Sequence, residues 1–231
     1  MDSTDLDANN DMDEDLLLSI YSLGERDFNG TNLSRTHLKA AHLPGIFLEQ
    51  ADLSQAHLEM ANLRRSHLWE ANLSGAYLAG ALLSGAHMMG TKLKGADLSA
   101  VKALGTDFSF ADLSEANLIQ SNLWRASLMN ANLRRAHLEK TQLKEASLVG
   151  AQLAGTDLRG ANLQGASLWG AKLLKAKLHN CDLRGANLQN CMIKASDLST
   201  SNLQGAYFDY TTQFEKGFDP TAAGMIHVDI F

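Results

Sequence analysis

The chain has 231 residues, 45% hydrophobic but only 6% aromatic, enough for one or two domains and a sizeable core. Its longest apolar run, LLLSIYSL at 16–23, is far short of the ~18 residues that span a bilayer. It opens on acids rather than on a basic, apolar leader, and its two cysteines lack framework spacing, so a cytoplasmic, reducing location is expected.

Residues 1–12 form an acidic leader, expected to be disordered and to assist docking or solubility. Residues 13–24 read as a short helix, with acids in the first turn, Gly24 as a stop and Leu16, Ile20 and Leu23 on one face. That face is expected to cover the N-terminal mouth of the repeat region that begins at residue 26.

From 26 to 210 the chain keeps a five-residue period without insertion or deletion. Of the 37 centres from 28 to 208, all are Leu, Phe, Met or Ile except Ala103. The slot two places earlier is Ala 22 times and Thr, Ser or Cys 12 times, broken only by Arg26, Ile46 and Val101. On an α-helix the centres would spiral round every side, and on a strand they would alternate faces. A chain that turns a corner every five residues keeps the centre and the small residue inward and the other three side chains outward. Coils built of such sides and stacked ~4.8 Å apart make an all-β solenoid.

Units such as ADLSQ, ANLSG and ANLQG resemble the pentapeptide-repeat proteins over about four-fifths of the chain. The resemblance implies a right-handed quadrilateral β-helix, here of about nine coils over 26–210, with a short N-terminal capping helix. Its stacked ends expose strand edges that need covers. In the tail, 211–231, Phe214 and Phe218 are placed to plug the C-terminal mouth, and FEKGFDPTAAGM resembles tails of cyanobacterial members. Known kinds in the family include regulators of cyanobacterial cell differentiation and gyrase-protecting factors. Inside the coil, the small Ala103 and the large Phe108 are expected to compensate, with Val101 adding bulk; the rival reading is a bulge that turns Leu104 inward.

Residues 20 apart stack on one wall. Wall one has centres 28 to 208, and walls two, three and four start at 33, 38 and 43. Their charges are −4, +5, −1 and +4, so the acidity of the chain resides in its ends. A DNA-mimicking modulator of gyrase or topoisomerase needs a dense anionic stripe, one charge per ~1.7 Å. The acids of wall one (Asp27, Glu49, Glu70, Asp107 and Asp209) are too sparse, which leaves that function as an alternative.

The outward slot just after each centre on wall one holds Trp69, Met89, Ser109, Met129, Val149 and Trp169 in succession, with Phe110 beside the gap at Ser109. On the other walls the same slot is large and apolar only at Leu104, Ile119, Trp124 and Leu174. Trp124 is expected at the corner leading into Met129. Such a band exceeds scattered exposure, and Trp and Met are favoured at interfaces. The favoured function is a non-enzymatic scaffold, regulatory in role, that docks a protein partner through Trp69, Met89, Phe110, Trp124, Met129, Val149 and Trp169. A self-associating rod is a further alternative, and a tolerant surface partly covered by the tail is the plain one.

No cofactor, metal or small-molecule substrate is indicated. His37 stacks with His57 and His67 with His87, but two ligands make no tetrahedral site, so polar filler is the better reading. Protonating these pairs is expected to loosen their coils. Cys181 and Cys191 occupy the small inward slot as alanine substitutes. HExxH, GxSxG, phosphate-cradling loops and CxxC pairs are absent, and a straight rod offers little concavity for catalysis. The basic residues Arg64, Arg65, Lys92, Lys94, Arg134, Arg135 and Lys172 lack interleaved aromatics, which counts against nucleic acid as a partner.

Overall fold

The structure is a computed structural model that describes residues 12–228. The acidic leader lies outside the described residues except for Met12, which is buried and donates its N–H to the Asn32 carbonyl at 3.1 Å.

Helix α1 spans Glu14–Ser22. Asp13 caps it by accepting the Leu16 N–H at 2.8 Å, and Glu14 and Asp15 sit at its positive end. The buried face differs from the expected one. Leu17 is fully buried and Ile20 and Tyr21 pack on the core, whereas Leu16 faces outward and Leu23 is 85% exposed. The cause is rotational register: residues 17, 20 and 21 share one stripe, and Tyr21 pins it. The Tyr21 hydroxyl donates to the Pro44 carbonyl at 2.8 Å, and the Arg26 guanidinium lies 3.8 Å from its ring centre. Arg26 thus breaks the small-residue slot in order to hold the helix.

Beyond Arg26 the chain forms four rows of parallel bridges at 20-residue spacing, opened by Asp27 with Phe47, Asn32 with Asp52, His37 with His57, and His42 with Asn62. Every centre is buried, and so is nearly every small residue two places before it. Nearly every corner is a turn in which the next small residue donates back to the centre carbonyl, as Ala116 does to Leu113 at 3.1 Å. The residue before it is left-handed at every corner from Gly30 to Ala195. This is a type II turn, which demands positive φ at its third position and explains the recurrent glycine there. At Gly150 the requirement is also spatial: an added Cβ would lie 2.2 Å from Asn130 Oδ1.

The remaining slots have equally local causes. Asp or Asn before a centre accepts the N–H two residues on, as Asp97 does from Ser99 at 3.0 Å, and the next coil's Asn117 amide joins it at 3.0 Å. A hydroxyl or thiol in the small slot can donate to a carbonyl of the preceding coil. Thr106 bonds Leu83 at 2.8 Å and Cys181 bonds Leu158 at 3.0 Å. This outlet lets Thr, Ser and Cys replace Ala inside an apolar core.

Ala103 and Phe108 are both fully buried, and the ladder passes through them unbroken, with Ala103 bonding Asn122 at 2.8 Å and Phe108 bonding Ser127 at 2.7 Å. No bulge forms, and Leu104 stays half-exposed. At the C-terminal end the register slips: Met192 bridges Gln213, 21 residues on. Strand β1, Tyr207–Phe208, pairs in parallel with β2, Ile226–His227. Phe214 stands edge-on to Phe208 at 5.8 Å and 5.0 Å from Phe218, and both Phe214 and Phe218 pack on the core.

Candidate docking surface

Wall one places its outward apolar residues by backbone ladder alone. Glu70 donates to the Met89 carbonyl at 3.0 Å, Gly90 to Ser109 at 2.9 Å, Phe110 to Met129 at 2.8 Å, Asn130 to Val149 at 2.8 Å and Gly150 to Trp169 at 2.9 Å. Trp69, Met89, Ser109, Met129, Val149 and Trp169 therefore occupy consecutive rungs of one column. Relative exposure is 41% at Trp69, 38% at Met89, 39% at Met129, 44% at Trp169 and 59% at Phe110, while Val149 is half-buried. Large apolar side chains held this open on a rigid sheet keep a substantial apolar area in water, which is the condition of an unpaired interface.

Ser109 and Trp124 stand apart from the apolar stripe, as their slots imply. Ser109 is buried, its hydroxyl 2.7 Å from that of Ser127, so the column dips there and Phe110 stands at the corner above it. Trp124 belongs to wall four, where its carbonyl bonds Gly105 at 2.9 Å, and it is not in the wall-one column. The Arg125 guanidinium lies 4.6 Å from its ring centre and bonds Glu145 at 2.8 Å. Trp124 is thus engaged with its own neighbours.

The charges around the column are unequal at its two ends. Glu49 and Glu70 lie at the Trp69 end; Glu70 accepts the Gln50 amide at 3.0 Å and Glu49 is 4.0 Å from His67. Lys172 lies round the corner from Trp169 on wall two, and Lys175 lies at the far corner of that wall; both are exposed, without an ion pair among the described residues. The corners between are bare at Gly90, Gly150 and Gly170. On the other side Ser127, Ser147 and Ser167 form a low polar row. Asp209 is only 2% exposed and accepts the N–H groups of Asn190, Thr211 and Thr212, so the acidic row of wall one is sparser than its sequence.

Sequence reasoning passed over one cluster on wall three. Asp157, 4% exposed, accepts two bonds from the Arg159 guanidinium at 2.8 Å and one from Lys177 at 2.9 Å. Burial works to raise its pKa, but these bonds prevail and hold it down at about 2. The 20-residue stacking of Asp157 and Lys177 was the available signal. The two thiols go the other way: burial pushes Cys181 and Cys191 up to about 12. The histidine rings stack as spaced, His37 on His57 at 4.8 Å and His67 on His87 at 4.9 Å, with Tyr77 and Phe47 extending the stacks. Among the described residues no group of three or more His, Cys, Asp or Glu is placed to hold a metal, and no helix is long and apolar enough to cross a membrane. Open clefts of about 470 Å³ beside Met12 and Asn32 and about 460 Å³ beside Leu198 and Phe218 lie at the two ends of the coil.

The pentapeptide-repeat pattern matches 8 copies over residues 27–69, 71–109, 111–150, 151–190 and 181–212. No curated protein sequence matches the chain. Among solved structures, HetL from the cyanobacterium Nostoc sp. strain PCC 7120, a pentapeptide repeat protein involved in heterocyst differentiation regulation, is 34% identical with a TM-score of 0.80, covering 93% of this chain and 92% of its own. Rfr23 from Cyanothece 51142 is 29% identical over 53% of this chain and 90% of its own, with a TM-score of 0.37. QnrB1, a plasmid-mediated fluoroquinolone resistance protein, is 19% identical over 88% of this chain and 89% of its own, with a TM-score of 0.41. The repeat pattern, the four-row parallel ladder and the likeness to HetL agree: the chain belongs to the pentapeptide-repeat family and folds as a right-handed quadrilateral β-helix.

Proposed function

We propose that this protein is a non-enzymatic regulatory scaffold of the cytoplasm that docks a protein partner on wall one, through Trp69, Met89, Phe110, Met129, Val149 and Trp169. The observation that carries it is the run of exposed large apolar residues on ladder-linked rungs, the residue types that dominate interface energetics. The likeness to a protein involved in differentiation regulation supports a regulatory setting. Trp124 contributes at most a flank, since Arg125 and Glu145 engage it. In this reading about nine coils form a rigid bar, α1 covers its first coil, and Phe214 and Phe218 cover its last.

The test is affinity capture from a lysate of the organism that makes the protein, with wild type against a Met129→Glu, Val149→Glu, Trp169→Glu variant. The variant is expected to melt like wild type, because all three side chains point outward, and to lose the captured partner. Equal capture by both would sink the proposal.

A further inference from the structure

Wall one has ten rungs, with centres from Phe28 to Phe208. Three outward columns run along it: the residues just before the centres, those just after them, and the corner that follows. A second copy can be laid face to face on this wall about a two-fold axis through its middle, perpendicular to the rod. That operation keeps each column over its own counterpart, reverses its order and overlaps all ten rungs, with Leu68 over Leu168 and Phe108 over Leu128 of the second copy. The columns fit each other in that order. After the centres, Trp69 faces Trp169, Met89 faces Val149, and the long Met129 faces Ser109, where the column dips. Before the centres, His67, His87 and Asp107 face Ser167, Ser147 and Ser127. At the corners, Glu70 and Arg65 face Gly170 and Gly165, and Phe110 faces Asn130. Each acid of wall one meets a neutral residue, including Asp27 and Glu49, which face Tyr207 and Gln189.

A parallel pairing, about an axis along the rod, fits worse. It lays the column before the centres on the column after them, setting His87 on Met89, Ser127 on Met129 and Ser147 on Val149. The backbone also favours the antiparallel order. The N–H groups of Trp69, Met89, Met129, Val149 and Trp169 have no acceptor among the described residues, because Ser or His stands where Asp or Asn supplies one elsewhere, as Asp97 does for Ser99. Antiparallel pairing brings to each of these rungs a Ser hydroxyl, a His ring or the Asp107 carboxylate of the second copy, so each N–H is buried beside an acceptor. Resting on the docking face proposed above, we infer that the occupant of wall one is wall one of a second copy, antiparallel across the central two-fold axis. Ten rungs at ~4.8 Å and a width of four residues give about 600 Å² on each copy, or about 1,200 Å² in all. That is the low end of specific interfaces, so the dimer is weak and reversible, with a dissociation constant in the micromolar range.

The test is sedimentation of the full chain across the micromolar range, with variants that melt like wild type. Wild type is expected to pass reversibly from one chain's mass towards two as concentration rises. Met89→Lys alone sets a charge on Val149 of the second copy twice per dimer, and Val149→Glu alone does the same to Met89. Each is expected to weaken association at least roughly tenfold. An equimolar mixture of the two is expected to recover it, since the mixed dimer holds one Lys–Glu pair and one native Met89–Val149 pair. No other register, and no parallel pairing, gives that recovery. Wild type that stays monomeric, a dimer indifferent to both variants, or a mixture that stays monomeric overturns the inference. If the wild type stays monomeric while lysate capture of another protein still depends on the stripe, the docking face stands and the second copy falls. If neither association nor capture depends on the stripe, both fall.

Discussion

Replacing Asp157 by Asn tests the energetics of wall three. The carboxylate is nearly inaccessible, gripped by Arg159 on two bonds and by Lys177 from the next coil, and its pKa drops from 3.8 to about 2. A drop of that size corresponds to about 2 kcal/mol of folding free energy. Because the folded-state pKa is the lower one, this stabilisation is fully present above pH ~4 to 5 and disappears as the pH falls through about 2. At neutral pH Asp157→Asn is therefore expected to cost about 2 kcal/mol, since it leaves two cations facing a neutral amide. Urea unfolding followed by tryptophan fluorescence, at pH 6 and again near pH 2.5, measures both. Asp182, Asp197 and Asp209 are also held below the ordinary carboxylate range, so wild type and variant share a background acid dependence. Their difference should fall to roughly a third of its neutral-pH value, about 0.8 kcal/mol, at the lower pH. A difference that stays constant across the range would refute the assignment and reduce the cluster to a solvated surface pair.

Two further outcomes are expected. Cys181 and Cys191, buried with pKa values of about 12 and donating to the Leu158 and Leu168 carbonyls, should resist alkylation at pH 8 in the folded protein and react at once in urea; fast labelling without denaturant would contradict their burial. Tyr21→Phe, which deletes the bond to Pro44 but keeps the ring under Arg26, should cost about 1 kcal/mol and raise hydrogen exchange in α1 while leaving the central coils unchanged; an unaltered helix would show that the apolar contacts of Leu17 suffice.

Most of the fold was legible because the repeat is a local rule applied again and again. A five-residue period fits neither a helix nor a strand and calls for a chain that turns at every repeat; the family resemblance supplied the four sides and the hand. Each slot answers to a nearby hydrogen bond: the Asx acceptor, the positive-φ corner, the hydroxyl that bonds a carbonyl of its own or the preceding coil. Column membership followed from counting by 20, which placed Trp69 and Trp169 on one line and stacked His37 on His57. The face of α1 was misjudged because a nine-residue helix carries leucine on several sides, and a contact 23 residues away, Tyr21 to Pro44, chooses among them. Counting by 20 also put Trp124 on the adjoining wall before the corner into Met129, but did not give the Arg125 guanidinium over its ring, which depends on a side-chain conformation. Asp157 looked like repeat filler, since its grip depends on how long side chains from two coils converge. Periodicity is a property of the backbone and is written in the chain; which outward side chains remain free for a partner is decided by their neighbours across the coil and by the ends that close it.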